Sequence, residues 1–192
     1  MVSWQMLPDV PLHPAGPVTA DVVVRGIRDF RAAARYLHHL PYGRNTDRAN
    51  FRLVLSEGHG TCSTKHALLA ELAREQQLPI TLTLGIYAMH ERNTPGIDAI
   101  LLHYNLPFLP EAHCYLTYEG ERIDITRSGS KPAEPIDHFF SEETILPTQI
   151  GEYKVDLHKR FLRRWLAENE TNRYSFDELW AIREACITSL TQ

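Results

Sequence analysis

The sequence predicts an α+β fold in which one helix packs on an antiparallel sheet and further helices lie towards both ends of the chain. Three patterns support this prediction. Apolar residues recur at helical spacing from Ser63 to Arg74, residues 111–126 alternate as in a β-hairpin, and amphipathic helical stripes fill residues 155–190. The chain has 192 residues, of which 43% are hydrophobic. This length suits one well-buried core, so we predict a single domain over 1–192.

The N-terminal part is predicted to begin with an extended arm. Prolines punctuate residues 1–17, where they disfavour regular structure. The apolar spacing of residues 27–37 then predicts one helix, which Thr19 or Asp21 can cap and which ends before the next proline. A short apolar run at 51–55 is predicted to be a strand leading into the following loop.

The remaining segments alternate between regular and irregular patterns. Residues 80–89 predict a strand, whereas 90–110 and 127–149 are predicted to be irregular, the first as a candidate wall of a substrate cleft. The C-terminal part is helical, with a capping box at Ser175–Glu178. The basic residues within 158–164 are expected on a solvated helix face.

Charge and cysteine content exclude several classes of function. The net charge is −4 with the ten histidines neutral, so we expect neither nucleic acid nor an anionic membrane as the main partner. No apolar run approaches about 18 residues, and no secretory signal is apparent. The three cysteines, Cys62, Cys114 and Cys186, argue against a disulfide framework, and Cys114 and Cys186 are predicted to be core residues. These features together favour the cytoplasm.

Cys62 stands where a glycine-containing loop is predicted to meet a helix. Thr61 is a good N-cap, which places Cys62 in the first helical turn. The positive end of the helix dipole stabilises a negative charge there and lowers the pKa of a thiol from its reference near 8.5. The pattern therefore predicts a nucleophilic thiolate. The alternative is a small buried packing residue, which is the usual role of a free cysteine.

A base and an acid are predicted in the hairpin. If its turn is the pair Glu119-Gly120, Asp124 lies opposite Tyr115. Side chains repeat every two residues along a strand, so His113 shares that face and is diagonal to Asp124. A diagonal neighbour at about 7–8 Å between Cα atoms is within reach of an imidazole–carboxylate hydrogen bond.

In chain order, these candidates are a thiol, an imidazole and a carboxylate. The sequence here resembles the transglutaminase-like branch of the papain-type cysteine enzymes, in Gly60-Thr61-Cys62-Ser63 opening a helix, in His113 followed by strand residues, and in Ile123-Asp124-Ile125-Thr126. The resemblance covers roughly the middle third of the chain. It implies a papain/transglutaminase-like fold with a catalytic core over 60–126. The family often has an aromatic residue after the cysteine, where this chain has a serine.

The three groups predict acyl transfer through a thioester. His113 would draw the proton from Cys62, and Asp124 would fix the imidazole tautomer. The thiolate would attack a peptide or small-molecule amide, and water would release the acyl group. No cofactor is expected.

Three further residues are candidates for supporting the site. Asn45 could supply a side-chain donor to the oxyanion, although a turn residue is the more common role at such a position. Lys65 and His66 follow Cys62 by one helical turn, where they could help to hold a thiolate or be exposed helix residues. His66 is also the second candidate for the base.

Two alternatives belong to other functional classes. His59, Cys62, His66 and His113 could bind zinc, because imidazole and thiolate are ligands that zinc prefers. A zinc site that also includes Cys114 is disfavoured, because His113 and Cys114 are adjacent in a strand and point to opposite sides of it. The other alternative is a non-catalytic binding module on the same fold.

Overall fold

A computed structural model describes residues 3–126, 133–169 and 173–190 and confirms the α+β class. The described helices are α1 (Pro17–Val24), α2 (Phe30–His39), α3 (Leu53–Glu57), α4 (Cys62–Glu75), α5 (Asp98–His103), α6 (Glu152–Glu168) and α7 (Phe176–Ser189). The strands are β1 (Thr81–Met89), β2 (Leu109–Tyr118), β3 (Glu121–Ile123) and β4 (Phe139–Ile145). Short 3₁₀ turns occupy Ser3–Met6 and Pro147–Gln149.

The strands form one antiparallel sheet in the order β3-β2-β1-β4. The β2–β3 hairpin has the predicted register, with Tyr118 opposite Glu121. Its turn residues Glu119 and Gly120 have φ angles of 50° and 81°. Positive φ at both central positions is typical of the type I′ turn, whose twist matches that of the flanking strands. The local turn therefore fixes the register that the sequence predicts.

The chain falls into two compact units. The first unit consists of Met1–Leu84, Cys114–Ser128 and Glu143–Gly151. The second unit consists of Gly85–His113, Gly129–Glu142 and Glu152–Gln192. The prediction of one domain over the whole chain stays a prediction.

Helix α4 is the centre of the first unit. It contacts α1, α2, α3 and the Pro147–Gln149 turn. Every residue of α4 except Glu71 and Arg74 is buried. A helix that is buried on all sides is a core helix rather than an amphipathic surface helix. The residue at its start, Cys62, therefore lies on a firmly packed element.

The predicted N-terminal arm lies along this unit but is not extended throughout. Residues 3–6 form a 3₁₀ turn, Leu7 is fully buried, and Pro17 already opens α1. The side chain of Glu75, at the end of α4, accepts hydrogen bonds from the backbone N–H groups of Val18 and Thr19. This carboxylate therefore pairs backbone N–H groups in the first turn of α1 that a cap residue would otherwise bond. Neither Thr19 nor Asp21, the predicted caps, is the N-cap residue of α1. Met1 and Val2 lie outside the described residues.

Two predictions about residues 17–60 are wrong. The single predicted helix is two helices, because the chain turns at Gly26, whose φ is 82°, and Asp29 caps α2 through the N–H of Ala32. The predicted strand at 51–55 is the short helix α3, which ends at Gly58 with φ of 70°. A five-residue apolar run does not distinguish strand from helix, and packing of Val54 and Leu55 into the core decides between them.

Two segments predicted to be irregular contain regular structure. Helix α5 lies within 90–110, and β4 lies within 127–149. Strand β4 is at the sheet edge and mostly exposed, with Ile145 as its buried residue, so its sequence lacks the alternation that predicts a strand. The rest of the second predicted segment includes 127–132, which lie outside the described residues.

The second unit packs α5 and α6 against α7 around an apolar core. The capping box Ser175–Glu178 is confirmed at the start of α7. Cys186 is fully buried, as predicted, and burial raises the pKa of its thiol to about 11. The core consists of Tyr87, Met89, Ile97, Leu101, Leu109, Leu162, Leu179, Ile182, Cys186 and Ile187. No helix in the described ranges has both the length and the apolar character that crossing a bilayer requires.

A buried ion pair joins β2 to α7 in this unit. Arg183 donates from Nε and Nη2 to the two carboxylate oxygens of Glu111, at 2.7 and 2.5 Å. Burial alone raises the pKa of Glu111, but the Arg183 guanidinium, followed by His158, outweighs it and holds this pKa at about 2. His158 is also buried, 2.9 Å from the carbonyl oxygen of Pro110, which corrects its predicted place on a solvated face. Glu111, Arg183 and His158 are called the Glu111 cluster below.

Candidate functional site

Cys62 opens helix α4, as the sequence predicts. The Thr61 hydroxyl accepts a hydrogen bond from the Thr64 N–H, and the Thr64 hydroxyl accepts one from the Thr61 N–H, which makes a reciprocal capping box. Cys62 is 8% exposed, and its Sγ lies 3.8 Å from the hydroxyl oxygen of Ser63. The thiol therefore sits at the positive end of a capped, 14-residue helix.

The loop before Cys62 is fixed by close backbone contacts at Gly60. Its N–H donates to the carbonyl oxygen of Pro41 at 3.2 Å, and its own carbonyl accepts from the N–H of Gly43 at 3.3 Å. A Cβ atom at position 60 would lie 2.8 Å from Cγ2 of Val54 and 3.0 Å from Oγ1 of Thr64. Glycine is thus required here by the close approach of its neighbours.

Asn45 is buried and holds this same loop together. Its amide nitrogen donates both hydrogens, to Glu57 at 2.8 Å and to the carbonyl oxygen of His59 at 3.0 Å. Its amide oxygen accepts from the Thr64 hydroxyl at 2.8 Å, which connects Asn45 to the cap of α4. An amide nitrogen has two donors, so none remains for a substrate oxyanion. The structure therefore supports a structural role for Asn45 rather than the predicted catalytic one.

Lys65 and His66 are both fully buried, which corrects the expectation that they lie on the helix surface. The Lys65 ammonium donates to the carbonyl oxygens of Leu40 at 2.6 Å and Thr126 at 2.9 Å. His66 contacts backbone on two sides, with Nδ1 2.7 Å from the carbonyl oxygen of Cys62 and Nε2 accepting from the N–H of Ile125 at 2.9 Å. Both ring nitrogens are occupied, so the structure does not support His66 as a base for the thiol.

Asp124 lies one residue beyond the end of β3. One of its carboxylate oxygens accepts from the N–H and the hydroxyl of Thr126, at 2.8 and 2.5 Å. The same oxygen is 3.5 Å from Nε2 of His66. The side chain is 42% exposed, so its carboxylate reaches solvent while its backbone is anchored. The carboxylate is thus located close to the helix that carries Cys62.

His113 lies on β2 and is 8% exposed. It belongs to the second unit, whereas Cys62 and Asp124 belong to the first. The ring of Tyr87 meets the imidazole edge-on, with 5.8 Å between ring centroids. The Tyr87 hydroxyl is in turn 2.8 Å from the hydroxyl oxygen of Thr94, so this neighbouring ring is itself fixed. The pairing of His113 with Cys62 stays a prediction.

The zinc alternative finds no support in the placement of its ligands. In the part of the chain that the structure describes, no group of three or more His, Cys, Asp or Glu side chains is arranged to hold a metal ion. His59 has each ring nitrogen close to a carbonyl oxygen, of Glu57 at 3.0 Å and of Arg44 at 3.1 Å. Both ring nitrogens of His66 are occupied as described above.

Two residues that support the candidate groups could not be identified from the sequence. Glu57 accepts from Asn45, and Tyr87 packs on His113. Each acts on a residue that is distant in sequence. No local sequence motif predicts such contacts, because they depend on which residues the fold brings together.

Comparisons of the chain with protein-family models, with curated proteins and with solved structures find no significant match.

Proposed function

We propose that this protein is a thiol-dependent acyl-transfer enzyme of papain/transglutaminase-like fold, which hydrolyses an amide or peptide-type bond. The observation that carries the proposal is the position of Cys62. It is the first residue of a capped helix that is buried on nearly all sides, and it is itself 8% exposed. A thiol in this position combines an electrostatic environment that favours the thiolate with a fixed orientation.

The proposed mechanism uses Cys62, His113 and Asp124. His113 takes the proton of the Cys62 thiol, and Asp124 stabilises the resulting imidazolium. The thiolate attacks the carbonyl carbon of an amide, and the amine leaves with a proton from the imidazolium. Water, deprotonated by the same imidazole, then cleaves the thioester, which releases a carboxylic acid and restores the thiol. Within the first unit, the buried α4 supports a fixed position for Cys62, and the hydrogen bond from the Thr126 N–H supports one for the Asp124 carboxylate.

The arrangement of the cysteines is compatible with this chemistry, because none of the three is paired in a disulfide. A cytoplasmic location, where thiols stay reduced, belongs to the proposal.

A burst experiment tests the proposed function. Mixing the full chain with a p-nitrophenyl ester of a short acyl group should release about one equivalent of nitrophenolate rapidly, followed by slower turnover. Peptide mass spectrometry should find the acyl group on Cys62. Cys62→Ala should abolish both phases, and His113→Ala should slow acylation by at least about 100-fold. Cys186→Ala is the matched control and should retain both phases.

Two results would contradict the proposal. One is an acyl group distributed among the three cysteines without turnover. The other is a His113→Ala variant that acylates as fast as the original protein. Either would favour a non-catalytic binding module on this fold.

A further inference from the structure

The backbone that follows β3 leaves the sheet and needs other hydrogen-bond partners. Strand β3 ends at Ile123, so the peptide groups of Ile125 and Thr126 lie beyond its ladder. Buried backbone groups are almost always paired, because an unpaired one loses its bond to water without a replacement. The partners of this segment are the Asp124 carboxylate, which accepts from the Thr126 N–H, and side chains from helix α4.

Two consecutive residues of α4 supply two of these partners. His66 Nε2 accepts from the N–H of Ile125 at 2.9 Å. The Lys65 ammonium donates to the carbonyl oxygen of Thr126 at 2.9 Å. Asp124 immediately precedes Ile125 and Thr126, the two residues that His66 and Lys65 bond.

The backbone donor fixes the tautomer of His66. An amide N–H can only donate, so the Nε2 atom that faces Ile125 must carry a lone pair. The proton of the neutral ring is then on Nδ1, which donates to the carbonyl oxygen of Cys62 at 2.7 Å. One imidazole thus bonds the residue that bears the thiol and the residue next to Asp124.

The complete burial of the Lys65 and His66 side chains indicates why these residues are polar. Lys65 and His66 are both 0% exposed. A lysine is almost never fully buried unless its ammonium is well paired, since desolvation of a charge is costly. Apolar residues could fill the same volume in the interior of a central helix. The polar side chains therefore serve the backbone contacts that they make, which include the Ile125 N–H and the Thr126 carbonyl oxygen.

We propose that Lys65 and His66 are positioning residues that hold the Asp124 carboxylate at a fixed place relative to Cys62. This inference rests on the proposed function, because it assigns the purpose of the contacts to the Cys62, His113 and Asp124 machinery. Neither residue contacts the reacting atoms in this role. Lys65 acts through the backbone of Thr126, and His66 acts through the backbone of Ile125 and through its Nε2 atom, which lies 3.5 Å from the Asp124 carboxylate.

A pair of substitutions at position 66 separates this role from simple packing. His66→Gln places an amide oxygen near the position of Nε2 and retains an acceptor for the Ile125 N–H. His66→Asn keeps a polar group near Nδ1 but is too short to reach Ile125. Ile182→Val, in the second-unit core, is the control for a general loss of stability. Asp124→Ala shows the effect of removing the carboxylate itself.

Two measurements are made on each variant. The first is hydrogen exchange of the Ile125 amide, which reports the contact directly. The second is the pH midpoint of iodoacetamide alkylation at Cys62, which reports the thiolate that the proposed function requires. We expect His66→Asn to speed exchange at Ile125 by about tenfold and to raise the midpoint by about one pH unit, close to the value for Asp124→Ala. His66→Gln should restore both, and Ile182→Val should change neither.

The outcomes separate the two proposals. If Asp124→Ala raises the midpoint but His66→Asn leaves it unchanged, the positioning role is overturned and the proposed function stands. If the midpoint lies near 8.5 and Asp124→Ala does not move it, the proposed function fails and the positioning role fails with it. Faster exchange at Ile125 without a shift of the midpoint makes the contact purely structural and also overturns the positioning role.

Discussion

The two units of this protein bury charged side chains in different ways. In the first unit, the Lys65 ammonium is bonded to two backbone carbonyl groups, of Leu40 and Thr126. In the second unit, the Arg183 guanidinium is bonded to the carboxylate of Glu111. One arrangement attaches a side chain to a peptide segment, whereas the other pairs two side chains. The first fixes the course of the backbone, and the second fixes one element against another.

This difference changes what each cluster can tolerate. A buried ion pair can often be replaced as a whole by apolar residues with little loss of stability, because both desolvation penalties disappear together. A side chain bonded to backbone has no such replacement, since the carbonyl groups remain after it is removed. Apolar residues should therefore replace the backbone contacts of Lys65 and His66 near Asp124 less well than they replace the ion pair of the Glu111 cluster.

The largest expected effect comes from breaking the Glu111–Arg183 pair on one side. Glu111→Gln should reduce the free energy of unfolding by about 3–5 kcal/mol, because the Arg183 guanidinium loses its buried charged partner and keeps only the more exposed Glu184. The double variant Glu111→Leu with Arg183→Met should recover most of this loss. Urea unfolding followed by circular dichroism measures both. A double variant as unstable as the single one would contradict the claim that apolar residues can replace the whole ion pair.

Acid should weaken the second unit through the same cluster. The pKa of Glu111 lies at about 2, below its ordinary 4.5, so its contribution is fully present above pH 4.5 and is lost as the pH falls towards 2. This loss should amount to about 3 kcal/mol. Burial lowers the pKa of His158 from its ordinary 6.5, so the benefit of the neutral ring declines as the pH falls below 6.5.

Urea unfolding at pH 7, 5 and 3 checks this prediction. The difference in stability between the original protein and Glu111→Gln should shrink at the lowest pH, where the carboxylate is increasingly protonated in the unfolded chain. A difference that stays constant over this range would show that Glu111 does not titrate as described.

Loss of a backbone-directed side chain should have a smaller effect on stability. Lys65→Met keeps most of the apolar stem but leaves the carbonyl groups of Leu40 and Thr126 without this donor. We expect a loss of about 1–3 kcal/mol, less than for Glu111→Gln, because removal of a buried charge partly offsets the lost hydrogen bonds. The same urea titrations compare the two variants. A loss larger than that of Glu111→Gln would reverse the proposed ranking.

The smallest expected effect is at the helix cap. Thr61→Ala removes the side-chain acceptor for the Thr64 N–H and should cost about 1 kcal/mol. Thr61→Ser retains the hydroxyl and serves as the matched control. Thermal unfolding of the three proteins should place the serine variant beside the original. Equal melting temperatures for all three would show that the cap contributes nothing.

Features encoded by neighbouring residues were the most predictable part of the fold. The Thr61 cap, the Glu119-Gly120 turn and the Ser175–Glu178 capping box all depend on residues within a few positions of one another. The hairpin register follows from its turn, and the site prediction used that register. Elements that tertiary packing decides are less predictable. The strand predicted at 51–55 is the helix α3, because a short apolar run is compatible with either helix or strand.

The roles of the supporting residues could not be predicted from the sequence. Lys65 and His66 bond residues that lie 61 and 59 positions away, and no spacing rule connects them. Their polar character suggested a surface or catalytic role, since buried lysines are rare. The oxyanion role predicted for Asn45 depends on its hydrogen-bond partners, which both take up its amide hydrogens and which only the fold brings together.

The reactivity of the Cys62 thiol is the most direct test of the proposed nucleophile. The rate of iodoacetamide alkylation is measured against pH by peptide mass spectrometry, with the fully buried Cys114 and Cys186 as internal references in the same sample. We expect Cys62 to react well below pH 7 and to lose that reactivity, or to shift it upward, in His113→Ala. A Cys62 that titrates near 8.5 and is indifferent to His113 would contradict the proposed nucleophile.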